Sequence, residues 1–201
     1  MHFARTATVD CASNPNYKRF FQLSFASSMI YKIRNFVRIN ALRIIYYCVV
    51  YSYLQYCIVS YGLACDSVLQ PLNAIHNNVL RALTFSNFKC HIIALYKQPF
   101  CLIKDIYHLE LSKLMNKFHN NTLPQSYNGF FQKITETHCH ITRSAANQNY
   151  FVPRVGSSLG KRNLTYQGTV AWSSIPQEFK IFSCGRFSKN YKKFLIALYN
   201  T

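Results

Sequence analysis

Between Arg43 and Asp66 the chain carries no charged residue. The surrounding stretch, Asn40 to Cys65, reads NALRIIYYCVVYSYLQYCIVSYGLAC. A continuous helix over 44–65 would reach about 33 Å, enough to cross a bilayer core. The first question is whether this is a membrane span or the buried heart of a folded domain. Tyr46, Tyr47, Tyr51, Tyr53, Tyr56 and Tyr61 are spread through it, not gathered at two ends as an aromatic belt would be. Ser52, Gln55 and Ser60 add polar atoms at depth. Buried tyrosine hydroxyls need partners, which a protein interior offers and lipid does not. The reading favoured here is a central buried helix, or a helix pair bent near Ser52. The alternative is a single-span membrane protein using 44–65. Arg34, Arg38 and Arg43 would then place the N-terminus in the cytoplasm, with no basic residue after the span until Arg81.

Charge narrows the partners. Lys and Arg total 23 against 6 acidic residues, a net +17, and a compact chain with that excess repels itself. A polyanion offsets it, so nucleic acid and an anionic membrane surface are the natural candidates. With 50% hydrophobic residues the chain is too apolar to stay disordered. The N-terminus lacks the apolar core of a secretory signal. This points to an intracellular setting, nucleus or cytoplasm, and to reduced cysteines acting as small core hydrophobes.

The rest of the chain reads as helices. Asn14-Pro15-Asn16 is a turn signal, and residues 1–22 form a loose leader. From Leu23 one face carries Phe25, Met29, Ile33 and Phe36-Val37. Asp66 or Ser67 caps an amphipathic helix with Leu69, Leu72, Ile75, Val79, Leu80 and Leu83 inward, Pro71 in its first turn, and His76 on the other face. A short helix is expected at Ile92–Tyr96. A longer one runs from Leu102 to His119 with Ile106, Leu109, Leu111, Leu114 and Phe118 inward. After Asn120-Asn121 the period breaks, and 123–162 reads as short helices and loop with a possible strand at Tyr150–Pro153. A final helix, Gly185 to Tyr199, turns Phe187, Tyr191, Phe194, Leu195 and Leu198 inward. The fold class expected is mainly α: a small helical bundle over 23–122, an irregular segment over 123–162, and a helical ending over 163–201, with little or no strand.

The chemistry available is limited. The acids are Asp10, Asp66, Asp105, Glu110, Glu136 and Glu178, with no adjacent pair. Two-metal nucleotidyl transfer needs several converging carboxylates, so no catalytic residue is assigned. No Gly-rich phosphate cradle is present. His138-Cys139-His140, with Cys90-His91, is the most visible metal candidate, but no standard zinc spacing occurs; polar loop residues are the plainer reading. No cofactor or metal is expected. The basic residues are more informative. Arg81, Lys113, Lys117, Arg143, Arg154, Lys161, Arg162, Lys189, Lys192 and Lys193 could follow a phosphate backbone. Tyr150, Phe151, Tyr166, Trp172 and Tyr191 stand among them, an interleaving suited to stacking on single-stranded bases, although for each ring alone a place in the core is the simpler expectation.

These residues also resemble a family. Ser27-Ser28-Met29-Ile30-Tyr31-Lys32-Ile33-Arg34, then Ile44-Ile45-Tyr46-Tyr47 and Tyr51-Ser52-Tyr53-Leu54-Gln55-Tyr56-Cys57, resemble the segment just after the catalytic palm of reverse transcriptases from jockey-like LINE (non-LTR) retrotransposons. Leu80-Arg81-Ala82-Leu83, Leu102-Ile103-Lys104-Asp105-Ile106-Tyr107, Phe118-His119-Asn120-Asn121 and Leu123-Pro124 continue in order. Thr142-Arg143-Ser144, Pro153-Arg154, Tyr166-Gln167-Gly168 and Trp172-Ser173-Ser174-Ile175-Pro176 follow, then Phe187 and the Lys-rich last helix. The resemblance covers about residues 24–201. It departs at Ser52, where the family has proline, and at Tyr61-Gly62, where it has Trp-Gly. The family's paired-aspartate polymerase motif lies upstream of this segment and is not in the chain. The resemblance implies a thumb-like bundle and C-terminal region of an RNA-directed DNA polymerase, a non-catalytic remnant whose partner is RNA or an RNA–DNA hybrid.

Overall fold

The computed structural model describes residues 15–86, 102–137 and 142–198. The protein is mainly helical. It divides into two compact units, Met1–Ile103 and Lys104–Thr201. The expected helix at Ile92–Tyr96 and the His138-Cys139-His140 and Cys90-His91 clusters lie outside the described residues.

The first unit is built on α1 (Pro15–Ile33), α2 (Ile39–Ile45), a π-helical segment (Tyr46–Tyr51), α3 (Ser52–Gln55), α4 (Ile58–Tyr61) and α5 (Asp66–Thr84). Helix α1 begins earlier than Leu23, with Pro15 at its first position, where its missing N–H would have had no partner in any case. Its buried face is Leu23, Ala26 and Ile30. The face expected to be inward is outward instead: Phe25 is 64% exposed and Phe36 89%. Both faces of α1 carry apolar residues at helical spacing, so periodicity alone could not choose between them.

The uncharged stretch is one-sided. Leu42, Tyr46, Val50, Leu54 and Ile58 are buried at a strict spacing of four, while Ile44, Tyr53 and Tyr56 are exposed. In an α-helix a four-residue step overshoots one turn by about 40°, so such a stripe would wind away from its partner. The wider turn of the π segment at Tyr46–Tyr51 carries it back. Ser52 follows directly, and its hydroxyl donates to the carbonyls of Cys48 at 2.6 Å and Val49 at 3.0 Å. Such back-bonding bends helices. The chain leaves the helix later than Ser52, at Tyr56 and Cys57, where Cys57 adopts a left-handed φ of 54°. Among the described residues no helix is long and apolar enough to cross a membrane.

Helix α5 follows its expected stripe closely. Leu69, Leu72, Val79, Leu80 and Leu83 are buried, and Ala82 joins them. Two details differ. Pro71 sits inside the helix rather than in its first turn. His76 is buried, not on the outer face; it takes the core position beside half-buried Ile75. Its Nε2 lies 2.9 Å from the hydroxyl of Tyr46, so the two polar groups satisfy each other inside the core.

The second unit is held by α6 (Ile103–His119), α7 (Ile134–Thr137), α8 (Arg143–Ala146), α9 (Leu164–Ser174), α10 (Gln177–Lys180) and α11 (Cys184–Ala197), with 3-10 turns at Gln125–Tyr127 and Gly160–Arg162. Its core gathers Leu109, Met115, Phe131, Tyr150, Trp172, Ile175, Phe187 and Tyr191. Helix α6, grouped with the first bundle in the sequence reading, thus buries Leu109 and Met115 in this unit. The strand expected at Tyr150–Pro153 is a single antiparallel bridge between Lys133 and Tyr150. Gly168 lets α9 approach closely: a Cβ there would meet Met115 Sδ and Phe131 Cε1, each at 2.9 Å.

The thiols correct another expectation. Cys48, Cys57 and Cys65 are exposed rather than core hydrophobes. The stripe at spacing four passes between them and leaves all three outside.

Candidate nucleic-acid interface

In the first unit the ends of α1 and α5 enclose a cleft of about 450 Å³, lined by Ser27, Ser28, Tyr31, Lys32, Arg34, Asn78, Arg81, Ala82 and Ser86. Three cations face it, and none of these lining residues is acidic. Lys32 and Arg81 stand in the last turns of their helices, where the dipole favours positive charge. Arg81 Nη1 donates to Asn78 Oδ1 at 3.2 Å. Arg34 lies just past the end of α1. Its guanidinium carbon sits 4.2 Å from the centroid of Tyr31 and 5.4 Å from that of Phe85. Spacing of three on a helix brings Tyr31 and Arg34 together, and the ring quadrupole holds the cation. Arg34 Nε is buried with no hydrogen-bond partner. Tyr31 and Phe85 remain more than half exposed.

Of the residues singled out from the sequence, Arg81 alone belongs to this cleft. Lys32, Arg34, Tyr31, Ser27 and Ser28 were not singled out as binding residues. Their signal was present as a Tyr–Lys–x–Arg run at the end of an apolar helix, but nothing in the sequence paired it with 78–86.

The other basic residues singled out from the sequence lie in the second unit. Lys113 Nζ is 2.6 Å from Glu110 Oε1, an ion pair one turn apart that neutralises it locally. Lys117 is exposed in the last turn of α6. Arg143 opens α8, Arg154 is exposed in a segment without regular secondary structure, and Lys161 and Arg162 are exposed neighbours in a 3-10 turn. Lys189, Lys192 and Lys193 share one side of α11 at spacings of three and four; Lys192 is half-buried and the other two are exposed. The structure therefore groups Lys161 with Arg162 and Lys189 with Lys192 and Lys193.

The stacking rings behave differently from the interleaved pattern. Tyr150, Trp172 and Tyr191 are buried core residues, and Phe151 and Tyr166 are half-buried. They pack on one another: Phe118, Phe131, Tyr150 and Trp172 meet edge-on or tilted at 4.9 to 6.2 Å. Among the described residues, Tyr31 and Phe85 in the first unit are exposed rings beside a cation.

The described acids have structural positions. Asp66, Asp105, Glu136 and Glu178 each stand in the first turn of a helix, where the dipole favours negative charge. Glu110 pairs with Lys113. Among the described residues no group of three or more His, Cys, Asp or Glu side chains could hold a metal ion. Compared with known proteins, the chain matches no family model, no curated protein and no solved structure.

Proposed function

We propose that this chain is a non-catalytic nucleic-acid-binding protein derived from the thumb and post-thumb region of a LINE-type reverse transcriptase, and that it binds RNA or an RNA–DNA hybrid through its backbone phosphates. The observation that carries the binding part is the α1–α5 cleft. Lys32, Arg34 and Arg81 line it without an acid among the lining residues, and Arg34 lies against exposed Tyr31 and Phe85. Backbone phosphates can bond the guanidinium groups, and unstacked bases have exposed rings to lie on. The net charge of +17 extends the attraction beyond the cleft. The derivation rests on the ordered run of family-like segments from Ser27 to the last helix.

Fluorescence anisotropy of the full chain with labelled single-stranded RNA and with an RNA–DNA hybrid at low salt tests the reading. Saturable binding that tolerates sequence change is expected. No binding to either probe at low salt would overturn it.

A further inference from the structure

We propose that the second unit carries a separate site for a phosphate monoester, in the cavity bounded by His119, Lys133, Thr135, Gln148 and Asn149. The inference does not depend on the strand-binding reading, because a small-anion site can exist with or without it. The cavity measures about 370 Å³, with Ala145 completing its lining. That is the small end of ligand pockets, suited to a compact group rather than a polymer tract.

Positive charge converges on it from two elements. Lys133 stands at its edge, just before α7, and is exposed. Lys180, from α10, is only 4% exposed. Its Nζ donates to Asn149 Oδ1 at 2.8 Å and to the Asn147 carbonyl at 3.4 Å, so a buried ammonium stands directly behind a lining residue with neutral oxygens as its partners. His119 forms the third side. Its Nδ1 is 3.1 Å from the Tyr150 hydroxyl. Burial first, then Lys133 and Lys180, hold its pKa below the usual value, while a hydrogen bond with the Gln148 side chain pulls the other way. Glu136, one residue beyond Thr135, is felt at the Tyr150 hydroxyl and trims the field without entering the lining.

The wall that carries Gln148 is held in place. Gln148 has a left-handed φ of 51°, a conformation that non-glycine residues seldom adopt. Three side chains hold this turn. Trp172 Nε1 donates to the Gln148 carbonyl at 3.2 Å, and Gln177 Nε2 and Lys180 Nζ both donate to the Asn147 carbonyl. The left-handed residue is the C-terminal stop of α8, with Gln148 N donating to the Ala145 carbonyl at 3.0 Å and Asn149 N to the Ser144 carbonyl at 3.1 Å, so the turn is fixed by backbone bonds as well. One lining ammonium, a second held behind Asn149, an imidazole, a threonine hydroxyl and two amides suit a dianionic monoester better than a carboxylate, which has one charge fewer.

The chain's single tryptophan reports on this site. Trp172 bonds the Gln148 carbonyl, lies 5.1 Å from the His119 ring centroid, and has Lys180 Nζ 5.3 Å from its own. The test is a titration of the full chain, followed by Trp172 fluorescence and by the His119 ring resonances, at constant ionic strength. The probes are inorganic phosphate, adenosine monophosphate, and one short oligonucleotide with either a 5′-phosphate or a 5′-hydroxyl. Saturable change is expected with every phosphorylated probe and none with the 5′-hydroxyl strand. The relative strengths of free phosphate, nucleotide and strand end then identify the source. Lys133→Gln, an exposed change, should weaken binding about tenfold, and Thr135→Ala should weaken it less. Arg38→Gln, an exposed change in the other unit and outside the α1–α5 cleft, should leave the titration unchanged. Absence of a phosphate-specific change in both signals, or an equal response from Lys133→Gln and the parent chain, would overturn the proposal.

Discussion

The hydroxyl of Tyr46 and Nε2 of His76 lie 2.9 Å apart, both inside the core of the first unit. Their rings are also stacked, with centroids 6.0 Å apart. His76 Nδ1 has no hydrogen-bond partner, so the Tyr46 hydroxyl supplies the hydrogen bond found at this imidazole. Tyr46→Phe would leave a second buried nitrogen unsatisfied. It should cost about 1–3 kcal/mol, read as a lower midpoint of urea unfolding. An unchanged midpoint would contradict the pairing.

Burial pushes the His76 pKa down from 6.5 to about 4. The folded chain therefore keeps this imidazole neutral where the unfolded chain protonates it. Its contribution is fully present above pH 6.5 and is lost as pH falls from 6.5 to about 4, for a total of about 3 kcal/mol. Stability of the parent chain should fall through that window, and His76→Leu should flatten much of the fall. His108 and His119 are shifted in the same direction and leave a residual slope.

At Gly168 two effects compete. Alanine is the better helix former by about 1 kcal/mol. Its methyl group, however, would stand 2.9 Å from both Met115 Sδ and Phe131 Cε1 in a packed core. Met115 can adjust, but the Phe131 ring is fixed among Phe118 and Tyr150. Overpacking of this kind costs about 1–3 kcal/mol. Gly168→Ala should therefore destabilise the second unit in thermal unfolding, and a stabilised variant would show that the ring moves freely.

Three exposed thiols make a direct prediction for the first unit. Cys48, Cys57 and Cys65 should react with a thiol reagent in the folded chain, as mapped by mass spectrometry after brief labelling. Labelling of these sites only after denaturation would place them in the core and contradict the one-sided stripe.

How much of this was legible in the sequence depends on whether a segment has one apolar face or two. Helix α5 has one, and Leu69, Leu72, Val79, Leu80 and Leu83 were read correctly. The last helix likewise buries Phe187 and Tyr191 where its spacing placed them. Helix α1 has two, Leu23, Ala26 and Ile30 on one and Phe25 and Met29 on the other, and periodicity does not choose between them. His76 was missed because its burial depends on a hydroxyl thirty positions earlier, and no local pattern announces that. The tyrosine-rich stretch announced its need for partners, but not which tyrosine would be deepest. The cleft was invisible for the same reason as His76. Arg34 and Arg81 are ordinary helix-end cations until packing brings 27–34 beside 78–86.

Arg34 and Arg81 are the proposed contacts to backbone phosphates. The most direct measurement is the slope of log binding constant against log salt for single-stranded RNA, in the parent chain and in the Arg34→Gln/Arg81→Gln double variant. Each lost phosphate contact on a single strand removes about 0.7 from the slope. Weaker binding and a slope shallower by about 1.4 are expected in the double variant, with Lys113→Gln, already neutralised by Glu110, close to the parent. A double variant with the parent's affinity and slope would contradict it.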